Sequence, residues 1–159
     1  MSNLILINLT LLLGLSVCQE EKVEDRIKND PKFAEELRQS PESITIANNK
    51  LILSTYLWRD FMPISEENGS KMICINKVTE VDKIPILPNI ILKKQYVILG
   101  NEIWTADYLE IRKISDFIIE GIVRDGPKWG PSIEVDVVCE FDYDGTTYRI
   151  LSKSQLIGN

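Results

Sequence analysis

From residue 43 onward, apolar and polar positions alternate in short runs separated by turn-forming residues. The most regular run is 133–142. Ile133, Val135, Val137, Cys139 and Phe141 fall on one face, Glu134, Asp136, Glu140 and Asp142 on the other, and Val138 alone breaks the pattern. A period of two predicts a strand with one face in the core and one in water. Asp144-Gly145 then turns the chain into a partner strand over 146–151. Earlier, 44–47 and 50–58 flank Asn48-Asn49 as a hairpin, and 71–81 reads as a third strand. The runs 96–99 and 102–105 flank Gly100-Asn101, and 117–123 alternates again. Pro85 and Pro88 mark an irregular connection or an edge. About seven or eight strands with turn signals at short intervals predict an all-β fold, an antiparallel, immunoglobulin-like β-sandwich.

The first 42 residues read differently. Asp30-Pro31 supplies an N-cap and a first-turn proline, Phe33, Ala34 and Leu37 give a weak apolar face, and Ser40-Pro41 stops the chain. A short helix over 31–39 is therefore expected. Residues 19–28 are charged and have no apolar stripe, so 19–42 reads as a tether with a short helix, ahead of a β-domain at 43–159. The run 4–17 is almost wholly apolar and ends abruptly at Gln19-Glu20-Glu21-Lys22. It is shorter than the roughly 20 residues that a membrane-spanning helix needs. Together with its place at the N-terminus, this predicts a signal segment over 1–18, although no Lys or Arg precedes the run.

Leu15-Ser16-Val17-Cys18 resembles the lipobox of bacterial lipoproteins. That resemblance implies acylation of Cys18 and attachment to a membrane through its acyl chains. Val17 departs from the small residue usual before the cysteine. Ordinary cleavage after Ser16 or Cys18, giving a freely secreted protein, is the alternative.

Composition narrows the function. The chain has 18 basic and 24 acidic residues, a net charge of −6, and no histidine. Nucleic-acid backbones are bound by Lys and Arg, so nucleic acid is not an expected partner. Without histidine there is no Ser-His or Cys-His nucleophile pair and no His-containing zinc site. No cofactor and no metal are expected. Asp142-Tyr143-Asp144-Gly145 is a fragment of a calcium loop without its remaining ligands, and reads as a hairpin turn. Glu134, Asp136, Glu140 and Asp142 read as solubilising charges on an exposed face, not as a catalytic pair. Cys74 and Cys139 read as buried thiols, with a disulfide between them as the alternative that export permits.

Two segments carry candidate binding residues. Trp58-Arg59-Asp60-Phe61-Met62-Pro63 leaves a strand for a loop. Either Trp58 and Arg59 face a ligand, as Trp and Arg do at binding hot spots, or Trp58 and Phe61 close one end of the fold with Arg59 paired to an acid. The second segment is the stiffened loop Arg124-Asp125-Gly126-Pro127-Lys128-Trp129-Gly130-Pro131, where Gly126 and Gly130 permit positive φ. It displays Lys128 and Trp129 to a partner or a glycan, or else tucks Trp129 over the core. Read together, Tyr56-Leu57-Trp58-Arg59-Asp60-Phe61-Met62-Pro63, Asp125-Gly126-Pro127-Lys128-Trp129-Gly130-Pro131, and 135–138 leading to Tyr148 resemble a group of small, uncharacterised bacterial secreted proteins and lipoproteins over residues 44–157. The resemblance implies export and a β fold, and no activity.

The expectation is an exported, lipid-anchored, non-catalytic module of the cell envelope, in the outer membrane or facing the periplasm. It binds an envelope protein or a glycan. The alternatives are a secreted structural subunit that pairs through a sheet edge and, last, a carboxylate-based hydrolase.

Overall fold

The computed structural model describes residues 26–63 and 66–159. The leader and Cys18 lie outside these residues. Ten strands and one helix follow in the order β1 (Ile27–Asn29), α1 (Pro31–Arg38), β2 (Ser43–Ile46), β3 (Asn49–Trp58), β4 (Met72–Glu80), β5 (Ile91–Leu99), β6 (Glu102–Asp107), β7 (Glu110–Ser115), β8 (Ile118–Gly126), β9 (Glu134–Tyr143) and β10 (Thr146–Gly158). The fold is all-β, as the alternation predicts. The strands form one mixed sheet in the order β1-β6-β5-β9-β10-β3-β4-β8-β7, with β2 also paired to β3.

The sheet has two halves. In the first, β1, β6, β5, β9 and β10 are antiparallel neighbours. In the second, β2, β3, β4, β8 and β7 are antiparallel neighbours. The tail of β10 joins them, pairing parallel to β3 at Ile157–Leu57 and Gly158–Trp58. The ladder of β10 shifts register between Ser152 and Gln155, where Ser154 takes a positive φ of 50°. Such a bulge bends a strand, and here it carries β10 from one half to the other. The inner faces share one core. Leu51, Leu57 and Met72 come from the second half, and Trp104, Val137 and Phe141 from the first.

Two strands and the lengths of others differ from expectation. β1 has only three residues, and the exposed pattern of β7 carries Glu110, Arg112 and Lys113 in place of an apolar face. Neither has the period-two signal that a half-buried strand leaves. The parallel β10–β3 step also departs from the purely antiparallel expectation.

The largest correction concerns residues 26–42, which belong to the folded domain and not to a tether. Asp30 caps α1 by accepting from the Phe33 amide at 2.9 Å. Ala34 and Leu37 are fully buried on the outer face of the first half, against Tyr96, Ile98, Ile103, Val138 and Leu151. Val138, the residue that broke the alternation of β9, is where the helix docks. The acids beside it are tied as well. Asp136 takes Arg38 at 2.7 Å. Glu140 accepts from Arg149 at 2.9 Å and from the Tyr96 hydroxyl at 3.1 Å. They are docking groups of a covered face, not solubilising charges on an open one.

Cys74 on β4 and Cys139 on β9 both point inward and are free, buried thiols, so the candidate disulfide is not formed. Polar side chains engage them instead. The Cys74 thiol reaches Asn76 Oδ1 at 3.7 Å, and Asn76 Nδ2 donates to the Tyr108 hydroxyl at 2.7 Å. Burial raises both thiols, Cys139 to about 12, with a bond to Tyr108 opposing the shift.

Candidate functional site

All four residues singled out as binding candidates come together at one end of the fold, in two different roles. Arg59 is completely buried at the end of β3. Its guanidinium donates to the carbonyls of Ser70 (2.9 Å), Lys128 (3.0 Å), Trp129 (3.3 Å) and Gly130 (2.9 Å), and also to that of Asn68. The Phe61 ring covers it at 4.7 Å. Among the described residues no acid pairs with it, contrary to the structural expectation, and its buried fork is turned to backbone carbonyls. Burial lowers its pKa from the ordinary value, but an arginine stays protonated in a protein. Its planar fork of donors serves several carbonyls at once, which a single amine could not span.

Arg59 thereby fixes the loop after β3 to the end of β8 and the loop that follows it, within 124–132. The rest of the site depends on that knot. Lys128 is held by Glu66 at 3.1 Å and the Glu67 carbonyl at 2.9 Å. Trp129 is half-buried against the core. Gly130 does have a positive φ, of 75°, as the motif suggested. Gly126 does not need one: a Cβ there would come within 2.6 Å of the Trp104 ring, so glycine is required for close packing.

Trp58 is the candidate left facing outward. Leu57 beside it is buried, so alternation along β3 turns Trp58 to the outer face of the second half. There it lines an open pocket of about 350 Å³ with Asp60, Glu66, Ser70, Lys71, Ile73, Arg124 and Asp125. Its walls come from the ends of β3, β4 and β8 and from the loop after β3, which Arg59 holds in place. Lys71 stands 3.8 Å from Asp125, and Ser70 Oγ accepts from the Asp60 amide at 2.7 Å.

The outer face continues from this pocket. Trp58 pairs across to Ile73 and Tyr56 to Ile75. The parallel step that aligns Ile157 with Leu57 brings Leu156 beside Tyr56. Tyr56 and Leu156 are each 59% exposed. Tyr56, Leu156 and Lys71 escaped the sequence reading. Tyr56 was legible, since it lies two residues before Trp58 on one strand face. Leu156 was not, because only the bend in β10 places it there.

Among the described residues no group of three or more side chains is arranged to hold a metal ion. Asp142 accepts from the Thr147 hydroxyl at 2.7 Å, and Asp144-Gly145 forms the hairpin turn, both with positive φ. No described helix is long and apolar enough to cross a membrane.

Fold and site together define the class as an all-β domain with an aromatic, charge-rimmed pocket built by loops at one end. Comparison of the chain with protein-family models, with curated proteins and with solved structures gives no match.

Proposed function

We propose that this protein is an exported, non-catalytic binding module of the bacterial cell envelope, anchored through an acylated Cys18, with Trp58 at the centre of its binding surface. One observation carries the reading: a fully buried arginine ties the two candidate loops together beside a pocket lined by the half-buried, outward-facing Trp58. A rigid frame around an aromatic anchor is how binding surfaces keep their affinity. The fold on which this surface sits is, in the finer reading, an immunoglobulin-like sandwich, supported by the shared core between its two halves.

The competing readings find less support. Asp125 and Glu66 are about two-thirds exposed, and open carboxylates lack the contrasting surroundings that divide acid from base in a hydrolase. The edge strand β7 carries Glu110, Arg112 and Lys113, and charges of that kind discourage strand addition.

The test has two parts. Intact mass of the protein from its native membrane fraction should show acylated Cys18; an unmodified N-terminus at Val17 or Gln19 removes the anchor. Capture of envelope components should be lost in Trp58→Ala while the circular dichroism spectrum is retained. Unchanged capture by a folded Trp58→Ala protein removes the binding surface. Trp129→Ala is not a clean probe, because Trp129 packs on the core.

A further inference from the structure

We propose that the Trp58 pocket and the row beside it form a track for a neutral polyhydroxylated ligand, a strand of polysaccharide. The proposal rests on the binding-module reading and names its ligand class. Trp58 and Tyr56 project from the same face of β3, about 7 Å apart along the strand. Ile73 and Ile75 lie beside them on β4 and give the track a flat apolar floor. A sugar ring offers an apolar face of C–H groups, which stacks on an aromatic ring, and an edge of hydroxyls, which needs donors and acceptors together. The rim supplies both: Lys71 and Arg124 donate, and Asp60 and Asp125 accept.

The charge of the rim selects among ligands. Three carboxylates, from Asp60, Glu66 and Asp125, face two cations, Lys71 and Arg124, and Lys128 offsets Glu66 at 3.1 Å. The site is therefore close to neutral, with both signs interspersed. A polyanion meets the carboxylates and a polycation meets Lys71 and Arg124. A second copy or an apolar protein face would have to strip water from all of them, which costs free energy unless each charge finds a partner. Hydroxyl groups donate and accept, so they satisfy both signs without adding charge. The other outer face has a pocket of about 420 Å³ beside Phe33 and Tyr96, but α1 buries the Tyr96 ring and the rim carries three cations, Arg26, Lys28 and Lys94, against two acids, Asp30 and Asp107.

The experiment titrates the folded protein with cellohexaose, xylohexaose, maltohexaose and chitohexaose, with polygalacturonate as the anionic control. Tryptophan fluorescence and retardation in polysaccharide-containing native gels report binding. At least one neutral oligosaccharide should bind, and Trp58→Ala should weaken it by roughly tenfold or more, equivalent to about 1.4 kcal/mol. Tyr56→Ala should weaken it by a smaller factor, and Trp58→Phe should restore part of the loss by keeping a ring. The inference is overturned if no neutral oligosaccharide binds at millimolar concentration, if polygalacturonate alone binds, or if both alanine variants bind like the parent. It is overturned equally if sedimentation shows a dimer that Tyr56→Ala disrupts and that excludes sugar. Loss of envelope capture in Trp58→Ala without any sugar binding overturns this inference alone and leaves the binding module standing.

Discussion

The two outer faces of this domain start from similar chemistry and end differently. The first half turns Tyr96, Ile98, Val138 and Leu151 outward, and α1 covers them. Arg149 completes the seal. It bonds Glu140 and Glu36 at 2.9 Å each and lies 5.7 Å from the rings of Phe33 and Tyr96. The second half turns Tyr56, Trp58, Ile73 and Ile75 outward, with Tyr56 exposed and the other three half-buried. Both faces carry an aromatic residue among aliphatic ones. The difference lies in where α1 packs, and it separates a face sealed into the fold from a face that α1 leaves open.

The severest way to break the comparison is to remove the frame beneath the bare face. Arg59→Leu leaves the carbonyls of loops 59–71 and 124–132 without their donor. It should cost roughly 3–5 kcal/mol of stability in denaturant titrations, because buried acceptors lose their partners together. A loss below about 1 kcal/mol would show that the loops hold themselves together.

Next comes the covered face. Leu37 is fully buried beneath α1, and Leu37→Ala should cost about 3 kcal/mol. Hydrogen exchange should then rise along α1 and the outer side of β9, and not along β3.

The covered face and the core also make the domain labile to alkali. Tyr96 is raised to about 12, by burial first and then by the charge of Glu140, and Cys139 reaches about 12 through burial. Each holds its proton more tightly when folded than when unfolded. Their stabilisation is therefore complete below the unfolded pKa values, near 9 for the thiol and 10 for the phenol, and is lost as pH rises toward 12. Stability should be flat to about pH 8 and fall by roughly 4 kcal/mol by pH 11. Tyr96→Phe should flatten the part of the decline above about pH 10. A profile unchanged by that substitution would mean that Tyr96 does not set it.

The smallest effect sharpens the contrast most. Leu156→Ser, on the bare face, should change stability by no more than about 0.5 kcal/mol. If it costs as much as Leu37→Ala, the second face is packed against something and the comparison fails.

Much of this was legible in the sequence. Strict alternation marked β9, Asp144-Gly145 marked its turn, and Asp30-Pro31 marked the start of α1. The signal that the first half is buried on both faces was also present, as the unbroken run 96–99 and as Val138, but it reads correctly only once a helix is known to lie there. Arg59 shows the opposite case. A charged residue at the end of a strand suggests an acid partner or a ligand, and its actual acceptors are backbone carbonyls, which every residue has and which no side-chain pattern reveals.

The sequence by itself determined the local matters: where strands alternate, where a helix is capped, which loops are stiffened by proline and glycine, and which chemistries the absence of histidine removes. These follow from steric and solvation preferences acting over a few residues. Only the tertiary structure decided which apolar face is covered, that β10 bends across two halves, and that Arg59 ties distant loops into a frame for Trp58. Those outcomes depend on contacts between segments up to about a hundred residues apart, such as the pairing of Thr55 with Gln155, and alternation of period two specifies a face without specifying what will lie against it.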